Sequence, residues 1–137
     1  MEKVKTIAVN VLVIAIAALL LIWGNTWYRQ RTQFNRGETA LAAGDYMTAI
    51  AGYEAAIHMY TPGSAFVSRS AEKLWSLGDR FERAGDPARA LIAYRVLRSS
   101  FYATHGLTTP GMEWIARCDE RIALLVKAQS QAVPQGK

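Results

Sequence analysis

The sequence predicts an all-α protein, with one membrane-length helix at the N-terminus followed by a small helical-repeat domain of about five helices. Three observations carry this. Thr6 to Tyr28 is an uncharged run of 23 residues, 18 of them apolar. Beyond it, apolar residues recur at spacings of three and four, and no alternating, strand-like run competes with them. Glycine and proline punctuation then returns at fixed offsets, as it does in repeat proteins.

The N-terminal run comes first because it decides which solvent the chain meets. At 1.5 Å per residue it makes a helix of about 35 Å, enough to cross a hydrocarbon core of about 30 Å. Trp23, Trp27 and Tyr28 cluster at its C-terminal edge and Arg29 and Arg31 follow. Amphipathic rings favour the headgroup layer, so these three are the expected membrane-interface residues and the lipid bilayer an expected partner. Lys3 and Lys5 would also suit the start of a cleaved signal peptide. The apolar run exceeds the usual length for one, however, and Ile22-Trp23-Gly24 is a poor cleavage site, so an uncleaved anchor is expected over residues 1–28.

Lys3, Lys5 and the amino terminus nearly balance Arg29, Arg31 and Arg36 across the run. A short basic N-terminus tends to stay cytoplasmic. The expectation is therefore a single-pass protein of a bacterial-type inner membrane, with its C-terminal domain exported to the periplasm. Asn10, Ala17 and Gly24 recur every seven residues and share a helix face. Either that face packs against another membrane helix, or Asn10 is simply wetted near the headgroups and the alanine is ordinary span composition.

From Arg29 onward the chain has 109 residues with 14 Lys and Arg against 10 Asp and Glu, a net charge of +4. The pI near 9.6 suggests nucleic acid until the charges are located. Arginines from Arg69 to Arg121 alternate with Glu72, Asp79, Glu82, Asp86, Asp119 and Glu120, which is the pattern of a solvated helical surface rather than a phosphate track. The single cysteine, Cys118, excludes an internal disulfide and is expected to be a buried filler. His58 and His105 stand far apart, and no metal, phosphate-loop or nucleophile–base pattern is present. Neither an enzyme nor a bound cofactor is expected.

Helical faces follow in order. Tyr46, Ala49, Ile50, Tyr53, Ala56, Ile57 and Tyr60 form one; Leu74, Leu77, Gly78 and Phe81 a second; Ala90, Leu91, Tyr94, Leu97 and Phe101 a third. Gly44-Asp45 and Gly85-Asp86 each end one helix with a glycine and start the next with an Asp cap, and Pro87 takes the tolerated first-turn position. At an offset of 41, Gly37, Gly44, Asp45, Ala49 and Tyr53 meet Gly78, Gly85, Asp86, Ala90 and Tyr94. At an offset of 48, Thr61-Pro62-Gly63 meets Thr109-Pro110-Gly111, and Phe66, Lys73 and Leu77 meet Trp114, Arg121 and Leu125. The change of offset places an insertion between Tyr94 and Thr109, read as a longer helix plus the His105-Gly106-Leu107 loop. The polar tail, residues 129–137, closes a domain of residues 29–128 and is expected to fray.

On these residues the chain resembles a tetratricopeptide (TPR) repeat protein. Leu74, Leu77, Gly78, Phe81, Ala90, Tyr94 and Leu97 match that pattern well; Gly37, Ala40, Ala49, Tyr53, Ala56 and Pro62 match it less fully. The resemblance covers about Thr32 to Leu125, with a short first helix from Thr32 to Ala43, and departs from the family in repeat length. It implies paired antiparallel helices whose first members line a groove for a peptide or partner helix. The implied groove residues are Glu38, Leu41, Trp75, Asp79, Glu82 and Arg83. Trp75 has two readings, an anchor for a partner or a core ring packed against the third unit. A second candidate surface runs from Arg95 and Arg98 to His105.

Two functional readings follow. One is a membrane-tethered module that captures or assembles another protein at the membrane surface. The other is a single-span accessory subunit of an integral complex, such as a transporter or an energy-transducing channel, touching its partner through Asn10, Ala17 and Gly24.

Overall fold

A computed structural model of the chain describes residues 1–106 and 108–132. Five helices follow one another: α1 (Glu2–Ala42), α2 (Tyr46–His58), α3 (Ala65–Arg83), α4 (Pro87–Ala103) and α5 (Met112–Ala132). Among the described residues there is no strand. Sequence neighbours pack side by side, α1 on α2, α3 on α4 and α4 on α5, with α2 bridging the two pairs.

The joints form as their residues dictate. Gly44 and Gly85 adopt φ of 77° and 73°, the left-handed region closed to most side chains. Their N–H groups reach back to the carbonyls of Leu41 and Glu82, while those of Asp45 and Asp86 reach Ala40 and Phe81. The two aspartates then turn to the next helix and accept from the N–H groups of Thr48 and Arg89 at 3.1 and 3.0 Å. Two equivalent sequences thus build two equivalent turns. The insertion inferred from the offsets is visible as helix length, 17 residues in α4 against 13 in α2.

The apolar N-terminal run and the first domain helix are one element. The sequence places a separate helix from Thr32 to Ala43, whereas α1 runs unbroken for 41 residues, about 61 Å at 1.5 Å per residue. Nothing between Tyr28 and Thr32 interrupts the ladder of backbone bonds. Thr32 does not cap a new helix; its hydroxyl donates back to the Tyr28 carbonyl at 3.0 Å, inside the existing one. The C-terminal tail differs too, since Gln129 to Ala132 continue α5, and residues 133–137 lie outside the described ones.

The core sits wholly in the C-terminal part. Residues 1–29 include none that is buried, while Gln30, Phe34, Gly37 and Ala40 form a buried stripe at spacings of three and four facing α2. Ala49, Tyr53, Ala56, Ile57, Leu74, Ala90 and Leu97 are fully enclosed. Up to Arg29, α1 therefore has no buried residue and carries a run long and apolar enough to cross a membrane, and from Gln30 it becomes an ordinary packed helix.

Candidate functional site

The predicted groove residues lie on α1 and α3, and packing sorts them into three roles. On α1, Gly37 has no side chain, and the Tyr53 ring of α2 lies against it; a Cβ there would meet ring carbons at 2.8 Å. The Tyr53 hydroxyl donates to Glu38, which also takes the Lys73 ammonium of α3 at 2.9 Å. The second unit repeats this. Tyr94 of α4 lies against Gly78 of α3, where a Cβ would stand 2.5 Å from the ring; Glu82 is the carboxylate that, after burial itself, raises its phenol pKa, and Glu82 pairs with Arg121 of α5.

Gly37 to Gly78 and Tyr53 to Tyr94 are steps of 41, and Lys73 to Arg121 is a step of 48, so this four-part tie obeys both repeat offsets. Only the acid moves, from the residue after Gly37 to the fourth after Gly78, one helical turn along the same face. Glu38 and Glu82 therefore tie each helix pair to the next. Burial opposes the charge on Glu38, but hydrogen bonds from Tyr53 and Lys73 and the nearby Lys73 and Arg69 cations outweigh it and hold its pKa below the ordinary value. Burial first, then the adjacent carboxylate, pushes both tyrosine phenols well above their usual range.

Leu41, Asp79 and Arg83 have a different setting. Together with Lys73, Ser76, Leu77 and Arg80 they line an open crevice of about 480 Å³ between α1 and α3. Leu41 and Leu77 supply its apolar part. Asp79 and Arg83 pair at 2.8 Å along α3, and Arg80 stacks over Tyr46 with its guanidinium carbon 5.3 Å from the ring centre.

Trp75 lies away from that crevice, half-buried against the core, with its ring 4.9 Å from Tyr94 and 6.2 Å from Trp114. The Arg117 guanidinium of α5 sits 4.2 Å from the Trp75 ring centre and 4.6 Å from that of Trp114. Of the two readings the sequence left open, the contacts favour packing against the third unit. Trp75→Ala is expected to lower unfolding stability by about 2 kcal/mol, less than the roughly 3 to 5 of a fully buried ring. Thermal unfolding of the full chain in detergent checks this, and an unchanged midpoint would return Trp75 to the list of surface residues.

Of the expected membrane-interface residues, Trp23 and Tyr28 are exposed. Trp27 is shared with the domain, its ring 5.8 Å from Phe66 in an edge-on contact and 5.9 Å from the Arg31 guanidinium. Asn10 and Ala17 are exposed, and a Cβ on Gly24 would meet nothing within 4 Å. On the second surface, Arg98 pairs with Asp119 and stacks on Tyr102 at 4.8 Å, and Tyr102 in turn packs on His105 at 5.3 Å. Arg95 lines a shallow hollow beside them; Leu107 lies outside the described residues. Cys118 is fully buried, and burial, reinforced by Asp119 against the pull of Arg117 and Arg98, pushes its thiol up to about 12.

Two structural residues escaped the sequence reading. Gln30, fully buried, donates to the carbonyls of Ala56 and Met59 at 2.9 and 3.1 Å and accepts from the Ser64 hydroxyl, so one side chain fastens the α2–α3 turn to α1. Gly52 lets α2 touch the Gly37 backbone, where a Cβ would come within 2.7 Å. Nothing in the type of either residue advertises the role; only their places on the packed stripes do. Among the described residues no group of His, Cys, Asp and Glu could hold a metal ion. Comparison with protein families, characterised proteins and solved structures finds no match.

Proposed function

We propose that the chain is a single-pass membrane protein whose helical, TPR-like domain captures another protein beside the bilayer, in the crevice between α1 and α3. What carries the reading is the convergence of Leu41, Asp79 and Arg83, three of the six expected groove residues, on one open crevice with apolar walls and a mostly basic rim. Glu38 already engages Lys73 and Asp79 engages Arg83, which leaves Arg80 as the rim cation without a carboxylate partner among the described residues. An apolar wall beside guanidinium groups suits a peptide or helix offering one apolar side chain and an adjacent carboxylate. No catalytic step belongs to this reading.

The short basic N-terminus supports a cytoplasmic start and a periplasmic domain in a bacterial-type inner membrane. Continuity of α1 supports retention of the anchor, because removing the segment before Asn25 would leave α1 beginning only a turn before its buried stripe at Gln30. The accessory-subunit reading rests on Asn10, Ala17 and Gly24, whose face is bare along α1.

A photo-crosslinking side chain at Ser76, tested in native membranes, separates these readings. We expect a discrete protein adduct from Ser76 that is lost with Arg83→Glu and absent when the probe stands at the exposed Ile92 of α4. An adduct from Ala17 alone would favour the membrane-subunit reading; equal labelling from Ser76 and Ile92 would remove the crevice as a docking site.

A further inference from the structure

The two ends of the helical domain differ in chemistry. One end carries the α1–α2 and α3–α4 joints and is charged, with Asp45, Arg83, Asp86 and Arg89 at or beside the turns. The other carries the α2–α3 and α4–α5 turns. Residues 55–68, which contain the first of these, hold no Asp, Glu, Lys or Arg, and neither do residues 99–112, which contain the second. Each window is fourteen residues long, and together they leave this end of an otherwise densely charged domain with few formal charges, Glu113 at the rim of the hollow between them being one.

The two windows are adjacent in space. Tyr60 and Val67 from one line the same hollow as Phe101, Pro110 and Gly111 from the other. This end is also the one from which the bare part of α1 emerges. Tyr60, Thr61 and Pro62 share an apolar groove of about 590 Å³ with Ile16, Leu19, Leu20 and Trp23 of α1, so the α2–α3 turn stands beside residues of the membrane-length run itself. Gln30 and the Trp27–Phe66 contact hold the turn there.

We infer that this sparsely charged end is a second membrane contact, and that the domain sits with its α2–α3 and α4–α5 turns in the headgroup layer of the bilayer that α1 crosses. The inference rests on the anchor reading above. Because α1 is continuous, its packing against α2 sets the height of the turns, and the α2–α3 turn stands beside the C-terminal half of the span, from Ile16 to Thr26. Tyr60, Pro62, Tyr102 and Met112 then join Trp23 and Trp27 in one interfacial belt, where rings and uncharged polar groups are favoured and formal charges are not. Moving away from this end, the first charges met are mostly arginines, Arg29, Arg31, Arg69 and Arg98 against Glu54 and Glu113, a sign that suits lipid phosphates.

The test uses the full-length protein in vesicles of phosphatidylcholine and phosphatidylglycerol. A single fluorophore is attached through Pro62→Cys, Thr109→Cys, Ala84→Cys or Leu19→Cys; all four positions are exposed, and native Cys118 is fully buried and stays unlabelled. Labels at 62 and 109 are expected to be quenched several-fold more by lipid carrying a nitroxide near its headgroup than by aqueous iodide. A label at Ala84, at the charged end, should show the reverse. Labels at 62 and 109 quenched by iodide while one at Leu19 reads lipid would overturn the seating and leave the anchor standing. A Leu19 label that reads water would remove the anchor and the seating with it. Labels at 62 and 109 shielded from both quenchers would mark this end as a contact between copies of the chain, and would equally overturn contact with lipid.

Discussion

Gly78→Leu is expected to destabilise the domain by about 3 kcal/mol or more, the upper range for overpacking a filled site. The Tyr94 ring lies directly over Gly78, and a Cβ would stand 2.5 and 2.6 Å from two of its carbons. The ring cannot swing aside cheaply. It is 1 % exposed and packed against Trp75. Gly78→Ala is the sharper control, because helix propensity alone would make it stabilising by about 1 kcal/mol. A lowered unfolding midpoint for the alanine variant would show steric contact overriding propensity. Midpoints unchanged in both variants would mean that α3 and α4 do not pack as described.

Ile14→Arg should act on a different equilibrium. Ile14 is 67 % exposed on α1 and touches no part of the domain core, so its replacement leaves the folded helices unaffected. A charge near mid-span costs about 2.5 to 3.5 kcal/mol on the insertion scale, enough to shift a single marginal span out of the bilayer. Much of the variant is expected to be extracted at high pH from membranes that retain the wild type. Full retention, with an N-terminus beginning near Asn25 in both proteins, would show that the segment is removed and that the domain holds to the membrane by other means.

The repeat was legible because its signals are local. Gly44-Asp45 and Gly85-Asp86 announce their turns through the one residue that tolerates φ near 75° and the one side chain that caps the next helix, and both turns form as read. The offset of 41 moves Gly78 and Tyr94 together with their first-unit counterparts, but that the ring covers the glycine was visible only in the packing of α4 on α3. Trp75 was not legible. A tryptophan on a helix face has the same spacing whether a partner or α5 covers it, and only the position of Arg117 and Trp114 distinguishes the two.

The sequence by itself determined that this protein is all-α, where its joints fall and that its first helix carries an exposed run of membrane length, because capping chemistry, helical periodicity and apolar composition act over a few residues. Tertiary structure alone decided how those parts combine. Whether Glu38 and Glu82 faced a groove or a neighbour depended on Lys73 and Arg121, 35 and 39 residues away. So did the meeting of two uncharged turns at one end of the domain. Contacts between residues so far apart are set by how whole helices pack, and no local pattern in either partner encodes them.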